Sequence, residues 1–130
     1  MSSLADDTRW LDATAQAELV TSGKVTPLEM VDAAIERVER FDGALNALTY
    51  RWFDAARQLA SSSELPEGPF RGVPYLLKDL YAAEAGKPLS NGSKAYKAAD
   101  YVSTEDSTLV SRYKAAGLIS IGRSNSPEFG

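Results

Sequence analysis

One lysine inside an apolar stretch is the residue of this sequence best placed for proton-transfer chemistry. Residues 70–81, FRGVPYLLKDLY, have the pattern of a short buried strand, and Lys78 occupies a place where a further apolar residue is expected. Alternate residues of a strand share a face, so Leu76 and Leu80 are predicted to lie on the face of Lys78. Asp79 falls on the opposite face and is therefore not the natural partner of the lysine.

Three environments are open to a lysine in this position. Lys78 is either desolvated, paired with a group from elsewhere in the fold, or exposed at the C-terminal end of its strand. Desolvation disfavours the charged form and lowers the pKa of a lysine, which makes the amine usable as a general base. A solvated lysine at a strand end, with its stem packed and its ammonium group in water, is the more frequent arrangement in proteins.

Other catalytic chemistries find little support in this sequence. It contains no cysteine and no histidine, which excludes a thiolate nucleophile and a Ser–His–Asp triad built within this chain. No serine stands in a G-x-S-x-G elbow, and Ser93, Ser124 and Ser126 are predicted to be turn or cap residues. The carboxylates show neither the spacing of a calcium loop nor a recognisable acid–base pair, and no glycine-rich phosphate motif is present.

The charge and hydropathy of the sequence indicate which binding partners and which cellular compartment to expect. Residues 1–40 account for the whole net charge of −4, and this acidity is typical of the solvated faces of amphipathic helices. No basic patch is present, so neither a nucleic-acid partner nor a membrane partner is predicted. The start of the chain lacks the pattern of a signal peptide, and no apolar run is long enough to span a bilayer. We expect a soluble, cytoplasmic protein.

Two helical segments are predicted before the first strand. The stretch DATAQAELVTSG has Asp12 or Thr14 as a candidate N-cap and Gly23 where a left-handed residue ends a helix. The stretch TPLEMVDAAIERVERF has Thr26 as N-cap with Pro27 and Glu29 completing a capping box, and FDG is predicted to end it. These segments predict a helical arm over residues 10–42.

The remaining residues, 45–130, are predicted to start an α/β core. A short strand at residues 45–50 precedes the helix WFDAARQLASSS, a loop, and the strand that carries Lys78. An irregular excursion follows, and then the helix TEDSTLVSRYKAAG, with Thr104 or Asp106 as its cap, leads into the strand LISIG. A strand, a helix and a second strand predict a parallel pair. With about two to three strands the sheet is small, so we expect the first part of a larger fold.

Several segments, in order, resemble the amidase signature family. GVPYLLKD is similar to the G-V-P-x-x-x-K-D segment of that family. DSTLVSRYKAAGLISIGRSNSPEFG is similar to its D-S-x-L-V-x-x-L-x-x-A-G segment, followed by a strand, G-K-T-N and E-F. The matching positions are Gly72, Val73, Pro74, Lys78, Asp79, Asp106, Ser107, Leu109, Val110, Ala116, Gly117, Gly122, Asn125, Glu128 and Phe129.

The resemblance implies a mixed β-sheet flanked by helices and an amide hydrolase that needs no metal or organic cofactor. In the family a lysine, a serine held by a cis peptide bond and a nucleophilic serine cleave a small-molecule amide, and the resemblance places the lysine on Lys78. The glycine- and serine-rich segment that carries both serines is absent, so this chain is expected to supply only the general base and to be inactive alone. Substrate-binding residues are not assigned, and a homodimer is a candidate assembly.

Departures from the family pattern leave alternatives open. Arg123 replaces the usual lysine after Gly122, Ser124 replaces a threonine, and residues 89–91 replace a threonine-rich step. Within the family, GVPYLLKDL and DATAQAELV look most like enzymes that act on the 6-aminohexanoate cyclic dimer and related unactivated amides. One alternative is an amidotransferase A-type subunit, although NSPEFG fits its D-E-F-A-M-G pattern less well. Another is a non-catalytic module that uses helices within residues 12–41 as a packing or dimer surface.

Overall fold

A computed structural model describes residues 2–130 and contains six helices and three strands in that range. The helices are α1 (Leu4–Asp7), α2 (Ala13–Thr21), α3 (Pro27–Leu45), α4 (Phe53–Ala60), α5 (Lys94–Ala98) and α6 (Thr108–Ala115). The strands are β1 (Leu48–Arg51), β2 (Pro74–Lys78) and β3 (Ile119–Ser124). Within the described range no helix combines the length and apolarity that crossing a bilayer demands.

The predicted start of the long helix α3 is confirmed, and its predicted end is wrong. Thr26 and Glu29 form the capping box, with the Glu29 amide donating to Thr26 Oγ1 at 3.2 Å and the Thr26 amide to Glu29 Oε2 at 2.8 Å. The helix continues through the FDG segment and ends before Asn46, which has a left-handed φ of 50°. Asp42 explains the extension, because its carboxylate accepts the amides that follow the helix, those of Ala47 and Leu48.

Other local predictions are corrected in the same way. The cap of α6 is Ser107, whose Oγ accepts the Val110 amide at 3.3 Å, whereas Asp106 accepts the Ala85 amide at 2.8 Å and so serves a neighbouring loop. The excursion predicted to be irregular contains α5. Trp10, a large aromatic residue for which a core or packing position is the usual expectation, is 83% exposed, and its ring lies against the Arg9 guanidinium at 4.6 Å.

The sheet has the strand order β1-β3-β2, which brings the predicted parallel pair together and places β2 at an edge. β2 and β3 are parallel, with α6 leading directly into β3, and β1 pairs with β3 in the antiparallel direction. The main core lies between this sheet and helices α3 and α4. Its buried residues are Val31, Ala34, Ile35, Ala56, Ala60, Leu65, Ile119 and Ile121.

Candidate active site

Lys78 is the last residue of β2, and its side chain is exposed in residues 2–130. The sequence allowed three environments for Lys78, and the structure shows the third, an exposed position at the C-terminal end of the strand. Its register partner in the parallel strand β3 is Ser124, the last residue of that strand. The carboxyl ends of parallel strands share one edge of a sheet, and open α/β sheets place ligand sites beyond that edge.

The two faces of β2 differ as strand alternation predicts. Leu76 packs against the core between the sheet and helices α3 and α4, whereas Leu77 packs against Val110 of α6. An open groove of about 490 Å³ runs beside β2, and Lys78 stands with apolar side chains in its wall. Those apolar residues are Tyr75, Leu76, Leu77, Leu80, Ala82, Leu109, Tyr113 and Leu118. Leu109 of α6 is 48% exposed in this groove.

Asp79 has the opposite environment to its neighbour Lys78. Its side chain is fully buried, and its carboxylate accepts hydrogen bonds from the Ser90 amide at 2.7 Å and from the Ser90 hydroxyl. Its own amide donates to the Ser124 carbonyl at 2.9 Å, which continues the β2–β3 ladder by one residue. Asp79 therefore binds the returning end of the loop that follows β2 and not the adjacent lysine.

Arg123 is a functional candidate that sequence reasoning noted only as a departure from the family pattern. Its side chain is fully buried, and Nη1 donates to the carbonyls of Lys78 at 3.1 Å and Ala82 at 2.8 Å. Nε donates to the carbonyl of Pro88. Burial lowers the pKa of the Arg123 guanidinium, and the nearby charge of Asp79 opposes that shift. The sequence contained one indication that Arg123 is buried, namely that this arginine directly follows the apolar run LISIG.

The serines near this edge serve the backbone or lie in a small polar hollow. The Ser126 hydroxyl donates to the Pro127 carbonyl at 3.0 Å, as expected for a turn residue. Ser90 and Ser93 are buried and line a hollow of about 190 Å³, together with Asn46, Leu48, Thr49, Gly92, Lys94, Lys97 and Asn125. No serine or threonine hydroxyl of residues 2–130 accepts from or donates to the Lys78 amine.

Comparisons with known proteins give the geometry its context. The family described as Amidase matches residues 29–130. The chain is 42% identical over 121 residues to the 6-aminohexanoate-cyclic-dimer hydrolase of Paenarthrobacter ureafaciens, covering 93% of this chain and 24% of that protein. It is 34% identical over 129 residues to the acylamidase of Rhodococcus erythropolis, covering 93% of this chain and 26% of that protein.

A solved structure shows the same fold. The structure of 6-aminohexanoate cyclic dimer hydrolase complexed with substrate matches with a TM-score of 0.85 at 42% identity, and the match covers 93% of this chain and 24% of that one. The chain thus spans about a quarter of the length of the relatives it matches. The predicted fold class, an incomplete α/β amidase fold with a mixed sheet, is confirmed. The chain belongs to the amidase signature family.

Proposed function

We propose that the complete protein containing this chain hydrolyses the carbon–nitrogen bond of an amide, with Lys78 as its general base. The observation that carries the proposal is Lys78 itself, which stands at the carboxyl end of β2 within the GVPYLLKD segment. The family membership and the 42% identity to a hydrolase support it. The reaction adds water across the amide bond and releases a carboxylate and an amine.

In this proposal the neutral amine of Lys78 takes a proton from a bridging serine, which in turn deprotonates a nucleophilic serine. The nucleophile attacks the amide carbonyl and forms an acyl-enzyme while the amine product leaves with a proton. Water then hydrolyses the acyl-enzyme, and backbone N–H groups stabilise the oxyanion in both steps. In this proposal both serines belong to parts of the protein outside residues 1–130, and those parts would also cover the side chain of Lys78, which is exposed in this chain.

The names of the relatives support a proposal for the substrate class. An unactivated small-molecule amide, such as the cyclic dimer of 6-aminohexanoate, is the proposed substrate because the relative with that activity in its name is 42% identical. The lack of cysteine suits a reducing compartment, and we place the protein in the cytoplasm as part of this proposal.

The proposal is tested by assaying amine release from the cyclic dimer and from a simple acyl amide, using the complete protein and the 130-residue chain side by side. We expect hydrolysis by the complete protein and none above background by the chain alone. Hydrolysis by the chain alone would contradict the assignment of the nucleophile to another part of the protein. Amide transfer to glutamyl-tRNA without hydrolysis of either amide would instead favour the amidotransferase alternative.

A further inference from the structure

We infer that Arg123 is a positioning residue that holds the backbone of Lys78 and the turn after it through hydrogen bonds to the carbonyls of Lys78, Ala82 and Pro88. The inference rests on the proposed role of Lys78 as general base. It adds Arg123 to that site. At this position the chain differs from the usual family pattern, because arginine stands where a lysine is common.

The contacts of Arg123 are distributed along the whole loop that follows β2. Nη1 reaches the carbonyl of Lys78, where the loop begins, at 3.1 Å, and the carbonyl of Ala82 at 2.8 Å. Nε reaches the carbonyl of Pro88 near the return of the loop. One rigid guanidinium therefore fixes three points of the loop relative to β3, the strand on which Arg123 lies.

Lys78 depends on this backbone support because its own side chain is exposed and, within residues 2–130, its amine has no hydrogen-bond partner. The backbone sets the direction of the Cα–Cβ bond, and with it the point from which the amine reaches the bridging serine. Arg123 acts on the carbonyl of Lys78 itself, so a shift of this hydrogen bond changes that direction first. A displacement of about 1 Å at a catalytic group is enough to lower a rate by about a hundredfold.

A guanidinium suits this task better than an ammonium group. The N–H donors of a guanidinium lie on three nitrogens in one plane and can form hydrogen bonds to carbonyls at separate places. The donors of a lysine all lie on one nitrogen. The fully buried cation is balanced by Asp79 and Glu84, both of which are buried and oppose the lowering of its pKa. Asp79 in turn binds Ser90, so the charges and the loop form one connected network beneath Lys78.

The first test measures kinetics in the complete protein with Arg123→Met and Arg123→Lys. Arg123→Met is expected to lower kcat about a hundredfold with KM within about threefold, because the base is misplaced while substrate contacts remain. Arg123→Lys is expected to have a kcat about tenfold higher than that of Arg123→Met, because lysine restores the positive charge and some of the hydrogen-bond donors. Arg112→Lys, an exposed arginine on α6, is the matched control and should leave kcat unchanged.

A second test separates failure of this inference from failure of the proposed function. Amide hydrogen exchange of residues 78–90 in the complete protein should become faster in Arg123→Lys, with exchange in α3 unchanged, whether or not the protein hydrolyses amides. Unchanged exchange in this loop would overturn the inference. So would a kcat within twofold of wild type in Arg123→Lys, or a uniform rise of exchange across the protein. Arg123→Lys keeps both tests decisive if Arg123→Met does not fold.

Discussion

At the scale of single residues, adjacent side chains of this chain occupy opposite environments. Lys78 is exposed at the end of β2. Asp79 is fully buried, and its carboxylate accepts hydrogen bonds from the Ser90 amide and hydroxyl. Strand alternation predicted this division, since consecutive residues face opposite sides. The partners were beyond sequence reasoning, because Ser90 and Arg123 reach Asp79 and its loop from distant positions in the chain.

Replacing Asp79 with alanine is expected to destabilise the protein by about 3 kcal/mol. The substitution leaves the buried Ser90 amide without its acceptor and removes a negative charge that balances the buried Arg123. Chemical denaturation of the complete protein measures the change. Asp7→Ala, which removes an exposed carboxylate from α1, is the control and should shift the free energy of unfolding by less than about 0.5 kcal/mol. Equal effects of the two substitutions would contradict the account of Asp79.

A pH dependence is expected from Asp42, the buried carboxylate near the end of α3. Burial raises its pKa, but the ion pair with Arg51 and the amides of Ala47 and Leu48 outweigh burial and leave the pKa below 3.8. A depressed pKa in the folded state gives stability that is fully present above the unfolded-state pKa and is lost as the pH falls through the folded-state pKa. Asp42→Asn should therefore destabilise the protein at pH 6, and the difference should shrink below about pH 4. Chemical denaturation of the wild type and of Asp42→Asn at each pH measures the difference in the free energy of unfolding. A difference that stays constant from pH 6 to pH 2.5 would contradict this assignment.

At the scale of elements, a close backbone contact joins β1 to β3 and explains one glycine of the family pattern. A Cβ added at Gly122 would collide with the carbonyl oxygen of Tyr50, which directly precedes the register partner of Gly122 in β1. The match of Gly122 to the family segment was visible in the sequence, but its reason was not. A contact of this kind depends on a register between strands that are about seventy residues apart, which local patterns do not encode.

The same limit explains the corrected helix boundaries. The capping box at Thr26 is a local device and was predictable, whereas the far end of α3 depends on Asp42 binding the amides of Ala47 and Leu48 as the chain turns into β1. Asp106 was predicted to cap α6, but its carboxylate is occupied by Lys114 and the Ala85 amide. Where a polar side chain has two suitable partners, tertiary structure decides between them.

A matched pair of glycine substitutions tests the contact between β1 and β3. Gly122→Ala is expected to destabilise the protein by about 2–3 kcal/mol, because the neighbouring atoms belong to backbone that cannot yield without breaking the pairing. Gly43→Ala lies within α3 with no atom within 4 Å of the new Cβ, and it should stabilise by about 0.5–1 kcal/mol. Unfolding in urea measures both, and destabilisation by Gly43→Ala or neutrality of Gly122→Ala would contradict the structure.

At the scale of the whole molecule, one edge of the sheet and the groove beside it are open. β2 is an edge strand, and the groove next to it, lined largely by apolar side chains, holds about 490 Å³. An uncovered strand edge beside apolar surface favours association with another chain. The chain spans about a quarter of the length of the relatives it matches, and in the proposed complete protein the remaining parts would cover this surface.

The isolated 130-residue chain is therefore expected to self-associate or to be partly molten. Sedimentation velocity at several concentrations measures association, and near-ultraviolet circular dichroism reports fixed tertiary packing. Leu109→Lys, which places a charge in the groove at a half-exposed position, should reduce the association. Lys24→Ala, which replaces an exposed lysine that does not line the groove, should leave the association unchanged. A monomer that unfolds in one sharp transition would contradict this expectation.

The most direct test of the proposed function is the turnover of the complete protein after Lys78→Ala, compared with Lys24→Ala. Removal of the general base is expected to lower kcat for amide hydrolysis at least about a thousandfold, and circular dichroism of the variant checks that the fold is kept. Lys24→Ala, an exposed lysine remote from the carboxyl end of β2, should leave kcat unchanged. A loss of less than tenfold in Lys78→Ala would contradict the assignment of Lys78 as the base.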